Sequence, residues 1–329
     1  MLVWIPRYAY KITYYSENAK TNIIGYSDSR GFVDKDGKTP SDMQTPTTSI
    51  NVNGTIGTTN YEYYRPHPAF ETDLNQGGWK KKVSGIWVGK FEATGTTSSV
   101  TILANTKALN NQTIGTLWYS LKNSFKAETT ESHMMKNSEW GAISYLAESK
   151  FGRNEVPITK NANSNYYTGD GAYKNNDKQE QSSTGNIYGV YDTVGGTYEY
   201  VASYIANEKN TNGYQFASTD GASTTNNNKK QSTPYATVYQ YNSNSDTNIN
   251  NYELSLNKIF GDGICETSSA ATGTTSWNLG VTGYVVGASP FFERGGVCSS
   301  STASLFYFSN NDGGSSKKLY GSRVICIVK

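Results

Sequence analysis

Two aromatic stripes at helical spacing constrain this chain most, because nearly everything else in it alternates like strand or breaks like loop. Residues 114–127, IGTLWYSLKNSFKA, place Ile114, Leu117, Trp118, Leu121 and Phe125 on one helical face. Residues 137–151 repeat the pattern with Trp140, Ile143, Leu146, Ala147 and Phe151. Asn137 or Ser138 is placed to cap that helix, Glu139 lies in its first turn, and Gly152 stops it. Stripes of this kind bury against a sheet, so both are expected to be core helices. A short third helix over 252–263, ending at Gly261, also fits.

The sheet must come from short segments. Residues 2–15 alternate through Val3, Ile5, Tyr8, Tyr10, Ile12 and Tyr14, which predicts a strand with an irregularity at Pro6. A second strand is expected over 77–94, with Val83, Ile86, Trp87, Val88 and Phe91 as its apolar members. From Trp277 onward, aromatic strands alternate with Gly, Ser and Asn turns as far as SRVICIV at 322–328. Residues 22–60 read as loops or small hairpins, 159–185 as a long loop, and 207–250 as the least structured part. No fixed-period repeat is present.

Of the 329 residues, 36% are hydrophobic and 17% charged, and 26 are Tyr. Tyr, Ser, Gly and Asn dominate the remainder, a mixture that suits ordered contact loops, since Tyr gives rigid amphipathic area and the others adaptable hydrogen bonds. The net charge is +2, and the Lys runs at 80–82, 229–230 and 317–318 are too short and scattered for a nucleic-acid footprint. No apolar run is long enough to span a bilayer. The first residues lack the charged start and apolar stretch of a signal peptide, so either assembly from the cytosol or an upstream segment is expected. Cys265, Cys298 and Cys326 are too few and too widely spaced for a disulfide framework or a metal knuckle. With His67 and His133 the only histidines, a multi-His metal site is not expected. Asp170, Asp192, Asp220, Asp246 and Asp262 lie in Gly/Asn-rich loops and are candidate oxygen ligands for calcium, without EF-hand spacing.

Six phrases in order resemble the formylglycine-generating-enzyme branch of the C-type lectin fold. VWIPRYAYKI is similar to that family's first strand, and GIWVGKFEAT resembles its GFWIGKYEVT strand. KNSEWGAISYLAESKFG resembles the TEAEWEYAAR helix, with Glu139 and Trp140 matching. VGGTYEYVA resembles GNVWEWVAD through Gly195, Glu199 and Val201, with Tyr198 and Tyr200 in place of both Trp. RGGV at 294–297 resembles RGGSW, and GSRVICIV resembles the terminal GFRVVL through Gly321 and Arg323.

The resemblance implies an irregular, loop-rich α+β fold: small antiparallel sheets and about two main helices. It spans 1–329 as one domain, with insertions at roughly 20–65, 159–185 and 205–250. It implies a framework of Glu199, Arg294, Gly295, Gly296, Gly321 and Arg323, in which Glu199 and Arg323 tie distant segments by a charge-assisted bond. The copper-dependent members of this family use two cysteines shortly after RGGS. Here Cys298 is followed by Ser299, Ser300, Ser301, Thr302 and Ala303, so the thiolate pair that suits Cu(I) is missing from that stretch.

The C-terminal region 277–329 resembles instead the variable region of proteins diversified by retroelements, which display a mutable face on this fold in phage tails and bacterial adhesins. The contact positions this implies are Val297, Cys298, Ser299, Ser300, Ser301, Tyr307, Ser309, Asn310, Asn311, Asp312 and Lys317. The expectation is a non-catalytic module binding a protein or glycan on a target cell, at a virion tail or cell surface, as a homo-oligomer or within a larger virion or surface assembly. A copper oxidase and a purely structural virion or pilus component are the alternatives.

Overall fold

The computed structural model describes residues 1–15, 18–27, 31–32, 64–171, 178–205, 231–256, 258–310 and 313–328. It is an α+β arrangement rich in loops. Strands β1 (Leu2–Pro6) and β2 (Tyr8–Tyr15) split the opening segment at Arg7. β3 (Asn18–Ser27), β4 (Gly31–Phe32), β5 (Arg65–Pro66), β6 (Gly85–Gly89), β7 (Thr94–Thr96) and β8 (Ser99–Thr101) follow. Next come α1 (Ile114–Ser124), β9 (Thr130–Met134), α2 (Asn137–Glu148), β10 (Tyr198–Ile205), β11 (Thr237–Tyr239) and α3 (Asn248–Ser255). The chain closes with β12 (Thr272–Ser276), β13 (Gly280–Gly283), β14 (Phe291–Arg294), β15 (Phe308–Ser309), β16 (Tyr320–Ser322) and β17 (Val324–Val328).

The first and last strands share one antiparallel sheet, in the order β1-β6-β17-β9. β17 is VICIV, an unbroken apolar run, because both of its faces are covered. Ile325 and Ile327 join Ile86 and Val88 in the main core. Val324 and Cys326 face the other way, into a second cluster with Met134 and the Leu117 and Leu121 side chains of α1.

The second sheet runs β11-β10-β14-β15-β13-β12, with β16 added to β10. It is mixed: β10 pairs parallel with β11 and β16, and β13 parallel with β15. This corrects the expectation of small antiparallel sheets. Parallel neighbours need distant segments to meet, and 198–205 gathers partners from 237–239 and 320–322.

Other expectations shift. Residues 22–27, read as loop or small hairpin, belong to β3, which pairs antiparallel with β2, Tyr8 to Tyr15 opposite Gly25 to Asn18. The strand expected over 77–94 narrows to Gly85–Gly89. Part of the stretch judged least structured supplies β11 and the start of α3, while 206–230 lies outside the described residues. The short third helix lies earlier than expected: α3 begins at Asn248, because the Thr247 side chain accepts from Asn250 N–H and caps it there.

α2 is capped at Lys136, whose backbone N–H donates to Glu139 Oε2 at 2.7 Å. Asn137 therefore lies inside the helix, not at its cap. Gly141 lets α2 approach its neighbour closely: a Cβ there would stand 1.9 Å from Gly261 O.

Candidate functional site

Two double-glycine corners meet at the centre of the site. Gly195 and Gly196 have φ of 81° and 71°, and Gly295 and Gly296 have 81° and 76°. The Gly195 N–H donates to Gly295 O at 3.3 Å, and the Cys298 N–H donates to Gly196 O at 2.9 Å. Glycine is required at three of these positions beyond its φ: a Cβ on Gly195 would lie 2.3 Å from Asn161 O. A Cβ on Gly196 would lie 2.6 Å from Glu92 Oε1, and one on Gly296 2.7 Å from the Ala303 Cα.

The second corner throws out a loop over 297–303 and holds it by its backbone. Ser300 N–H donates to Val297 O at 2.8 Å. The Lys160 ammonium reaches Ser300 O at 2.7 Å. At the far end Ser304 Oγ donates to Trp277 O at 3.2 Å, bringing the turn 277–279 alongside. In that turn Asn278 and Leu279 both have left-handed φ, 57° and 56°, and Leu279 is 75% exposed. Two consecutive non-glycine residues in that region store strain, a condition that clusters at contact surfaces. Asn278 Nδ2 is held by Glu148 Oε1 at 2.6 Å. Burial raises the Glu148 carboxyl to about 7.

The framework charges sit beneath this loop. Arg323 donates through Nε and Nη2 to both Glu199 oxygens, at 3.1 and 2.5 Å. It also donates to Gly89 O at 2.7 Å and Tyr191 O at 2.8 Å. Burial works against its charge, but the facing Glu199 carboxylate holds its pKa above the ordinary range. Glu92 accepts from Thr197 N–H at 2.7 Å and Thr197 Oγ1 at 3.0 Å. Asp192 accepts from Asn161 Nδ2 at 2.9 Å and Gly169 N–H at 2.8 Å. Burial raises all three carboxyls, Glu92 well above its usual range. Three buried acids face one guanidinium, so their carboxyls ionise less readily than they would in water. Arg294, also fully buried, donates to Asn137 Oδ1, Asp262 O and Gly263 O at 3.1, 2.9 and 3.1 Å. It ties the start of α2 to the loop at 262–263. Gly321 lies against Thr197, whose Oγ1 would stand 2.4 Å from an added Cβ.

The expected contact positions divide. Ser299, Ser301 and Lys317 are exposed, and Ser300 and Asn310 half-buried. Val297, Cys298, Tyr307 and Ser309 are buried and offer no contact area, a correction to the expected face. The reason is the corner itself, which turns 297–298 inward onto Gly196, while Tyr307 packs against Tyr198 with ring centroids 5.7 Å apart. Asn311 and Asp312 lie outside the described residues. Lys160, Asn278 and Leu279 were missing from the expected set. Nothing local in the sequence marks them, because they join the face only through the fold.

The cysteines stay apart in function. All three are free and buried. Burial pushes the Cys298 thiol up, with Glu92 raising and Lys160 lowering it further. Cys265 belongs to the main core and Cys326 to the second cluster, where burial pushes its thiol up to about 12. The candidate calcium ligands also diverge. Asp170 pairs with Lys178 at 3.1 Å, Asp192 joins the Arg323 cluster, Asp246 receives Gly287 N–H, and Asp262 receives the Tyr239 hydroxyl. Asp220 lies outside the described residues. Among the described residues no group of three His, Cys, Asp or Glu is arranged to hold a metal. No helix among them is long and apolar enough to cross a membrane.

No protein-family model and no curated protein matches this chain.

Proposed function

We propose that this chain is a non-catalytic recognition module. Its face is the 297–303 loop, bordered by Asn278 and Leu279 on one side and by Lys160 on the other. The observation that carries this reading is a division of labour within the loop. Its backbone is held by Gly196, Lys160 and the 277–279 turn, while the Ser299 and Ser301 side chains point to solvent. Side chains there can change without loosening the frame, as expected of binding residues on a rigid scaffold. The buried charges are engaged in holding the frame rather than lining an open cleft. Small hydroxyls, an amide, one cation and an exposed Leu suit a protein or glycan surface, bound weakly per copy and strengthened by clustering. A virion tail or a bacterial cell surface fits such a role, in keeping with the resemblance to retroelement-diversified proteins.

The test is binding to intact bacterial cells and to an immobilised glycan panel, with the native chain and a Ser299→Trp/Ser301→Trp double variant. Loss of binding in the variant, with its melting temperature unchanged, is the expected result. A variant that folds and binds like the native chain would refute the assignment of this face.

A further inference from the structure

A second surface is unrelated to the loop. β1 forms the edge of its sheet, and among the described residues no strand borders its outer side. Lys90 N–H donates to Met1 O and Arg7 N–H to Ser84 O, so residues 1, 3, 5 and 7 turn their backbone groups toward β6. Leu2, Trp4 and Pro6 turn theirs away from the sheet. The strand is LVWIP, with no charge, no bulge and no lysine. Sheet edges are usually blunted by such devices, and here Pro6, at the very end, is the one present.

The same strand carries an apolar face. Leu2 and Trp4 project to the side opposite the main core. Trp4 stands beside Trp87, with ring centroids 5.0 Å apart. The Trp4 ring lies over Gly85, where an added Cβ would meet it at 2.4 Å. Across Gly85 the ladder continues to Val328 by the register that sets Cys326 opposite Trp87. α1 covers the β9 side of this sheet face and leaves the β1 side open. Trp4 is 36%, Trp87 37% and Val328 56% exposed. With Met1 and Leu2, these side chains offer on the order of 400 Å², the size of patch that marks an interaction site.

We infer that β1 pairs antiparallel with β1 of a second copy of this chain, across a two-fold axis at Val3. The backbone dictates this register. Only Leu2 and Trp4 have both N–H and C=O free on the outer side, so Leu2 of one copy lies opposite Trp4 of the other. The two pairs exchange four hydrogen bonds, and Pro6, lacking an N–H, ends the ladder. Paired residues project to the same face, so each Trp4 ring lands beside the other copy's Leu2 and the two apolar bands become one. The contact is isologous and closed, giving a dimer rather than a fibre. Edge pairing joins the two faces side by side and buries far less than a standard interface, so the dimer is weak and reversible.

Sedimentation velocity of the full chain from about 1 to about 100 µM tests this, in the range where so small an interface dissociates. A monomer–dimer equilibrium is expected, weakened about tenfold or more by Trp4→Lys and by Leu2→Lys. Thermal melts report whether each variant folds. Amide exchange of the native chain gives a readout that needs no variant: Leu2 and Trp4 amides become protected as concentration rises. A chain that stays monomeric, a dimer indifferent to both folded variants, or one in which those two amides exchange freely overturns the inference.

Discussion

Removing the Arg323 guanidinium is the most informative single perturbation, because its loss leaves several buried groups unpaired at once. Arg323→Met keeps most of the side-chain volume but deletes both bonds to Glu199 and those to Gly89 O and Tyr191 O. Breaking a buried ion pair by removing one partner costs about 3–5 kcal/mol, and each orphaned carbonyl adds ~1 kcal/mol or more. A loss of about 5 kcal/mol would consume much of a typical stability and lower the melting temperature by roughly 10 °C. Deleting both charges, in Arg323→Met/Glu199→Met, should cost less than deleting the arginine alone, since no uncompensated carboxylate remains. The pH dependence has a defined sign. Glu92, Asp192 and Glu199 already have raised pKa values in the folded state, and losing the guanidinium raises them further. Groups raised on folding favour the native state at low pH and disfavour it as pH rises. The deficit of the single variant should therefore shrink as pH falls toward the ordinary carboxylate range. Urea unfolding of native, single and double variants at several pH values measures all of this. A single-variant deficit below about 1 kcal/mol, or strictly additive costs in the double, would show that the cluster does not hold the frame together.

Gly296→Ala should destabilise by about 1–2 kcal/mol or more, since it places a Cβ against Ala303 at positive φ, whereas Ser301→Ala should stay within about 0.5 kcal/mol in the same thermal melts. Lys160→Met should speed amide exchange across 297–303 while leaving global stability nearly unchanged; unaltered exchange would show that the ammonium does not pin the loop. Glu148 rises from 4.5 to about 7 on folding, so its contribution is full below 4.5 and lost as pH climbs through 7. Between pH 4 and 8 the native chain should therefore lose on the order of 3 kcal/mol more than Glu148→Gln, and parallel stability curves would refute this. Alkylation at neutral pH should leave Cys326 unlabelled until unfolding, because burial holds its thiol at about 12.

What could be read from the sequence follows from what is local. α1 and α2 were legible because helical spacing is a property of neighbours, and Thr113 caps α1 within its own turn. The limits of β2–β3 and of β6 were not, because a strand ends where its partner ends, and β6 is bounded by β1 and β17 at opposite ends of the chain. The parallel pairs around β10 have no local signature at all. The inward turn of Val297 and Cys298 is set by Gly196, a hundred residues earlier, so alternation along 297–309 could not separate contact from core. Leu279 is the extreme case: its left-handed backbone contradicts its own preference and is held by the turn around it.

That dependence on distant partners also bears on how such a face works. A loop whose shape rested on its own side chains would change shape with each substitution and lose its frame. Here the shape comes from a glycine pair docked on another glycine pair, from one lysine outside the loop, from Ser300 Oγ accepting the Thr302 N–H within it, and from the Ser304 hydroxyl on Trp277 O. The Ser299 and Ser301 side chains carry none of it. Beneath them three acids and one arginine are packed where no solvent relieves an error, so the frame tolerates little change. Tolerance at the surface and intolerance below it come from the same arrangement. A library randomised at Ser299 and Ser301 should then yield folded chains at nearly the frequency of the parent, and one randomised at Glu92 or Arg323 should yield almost none.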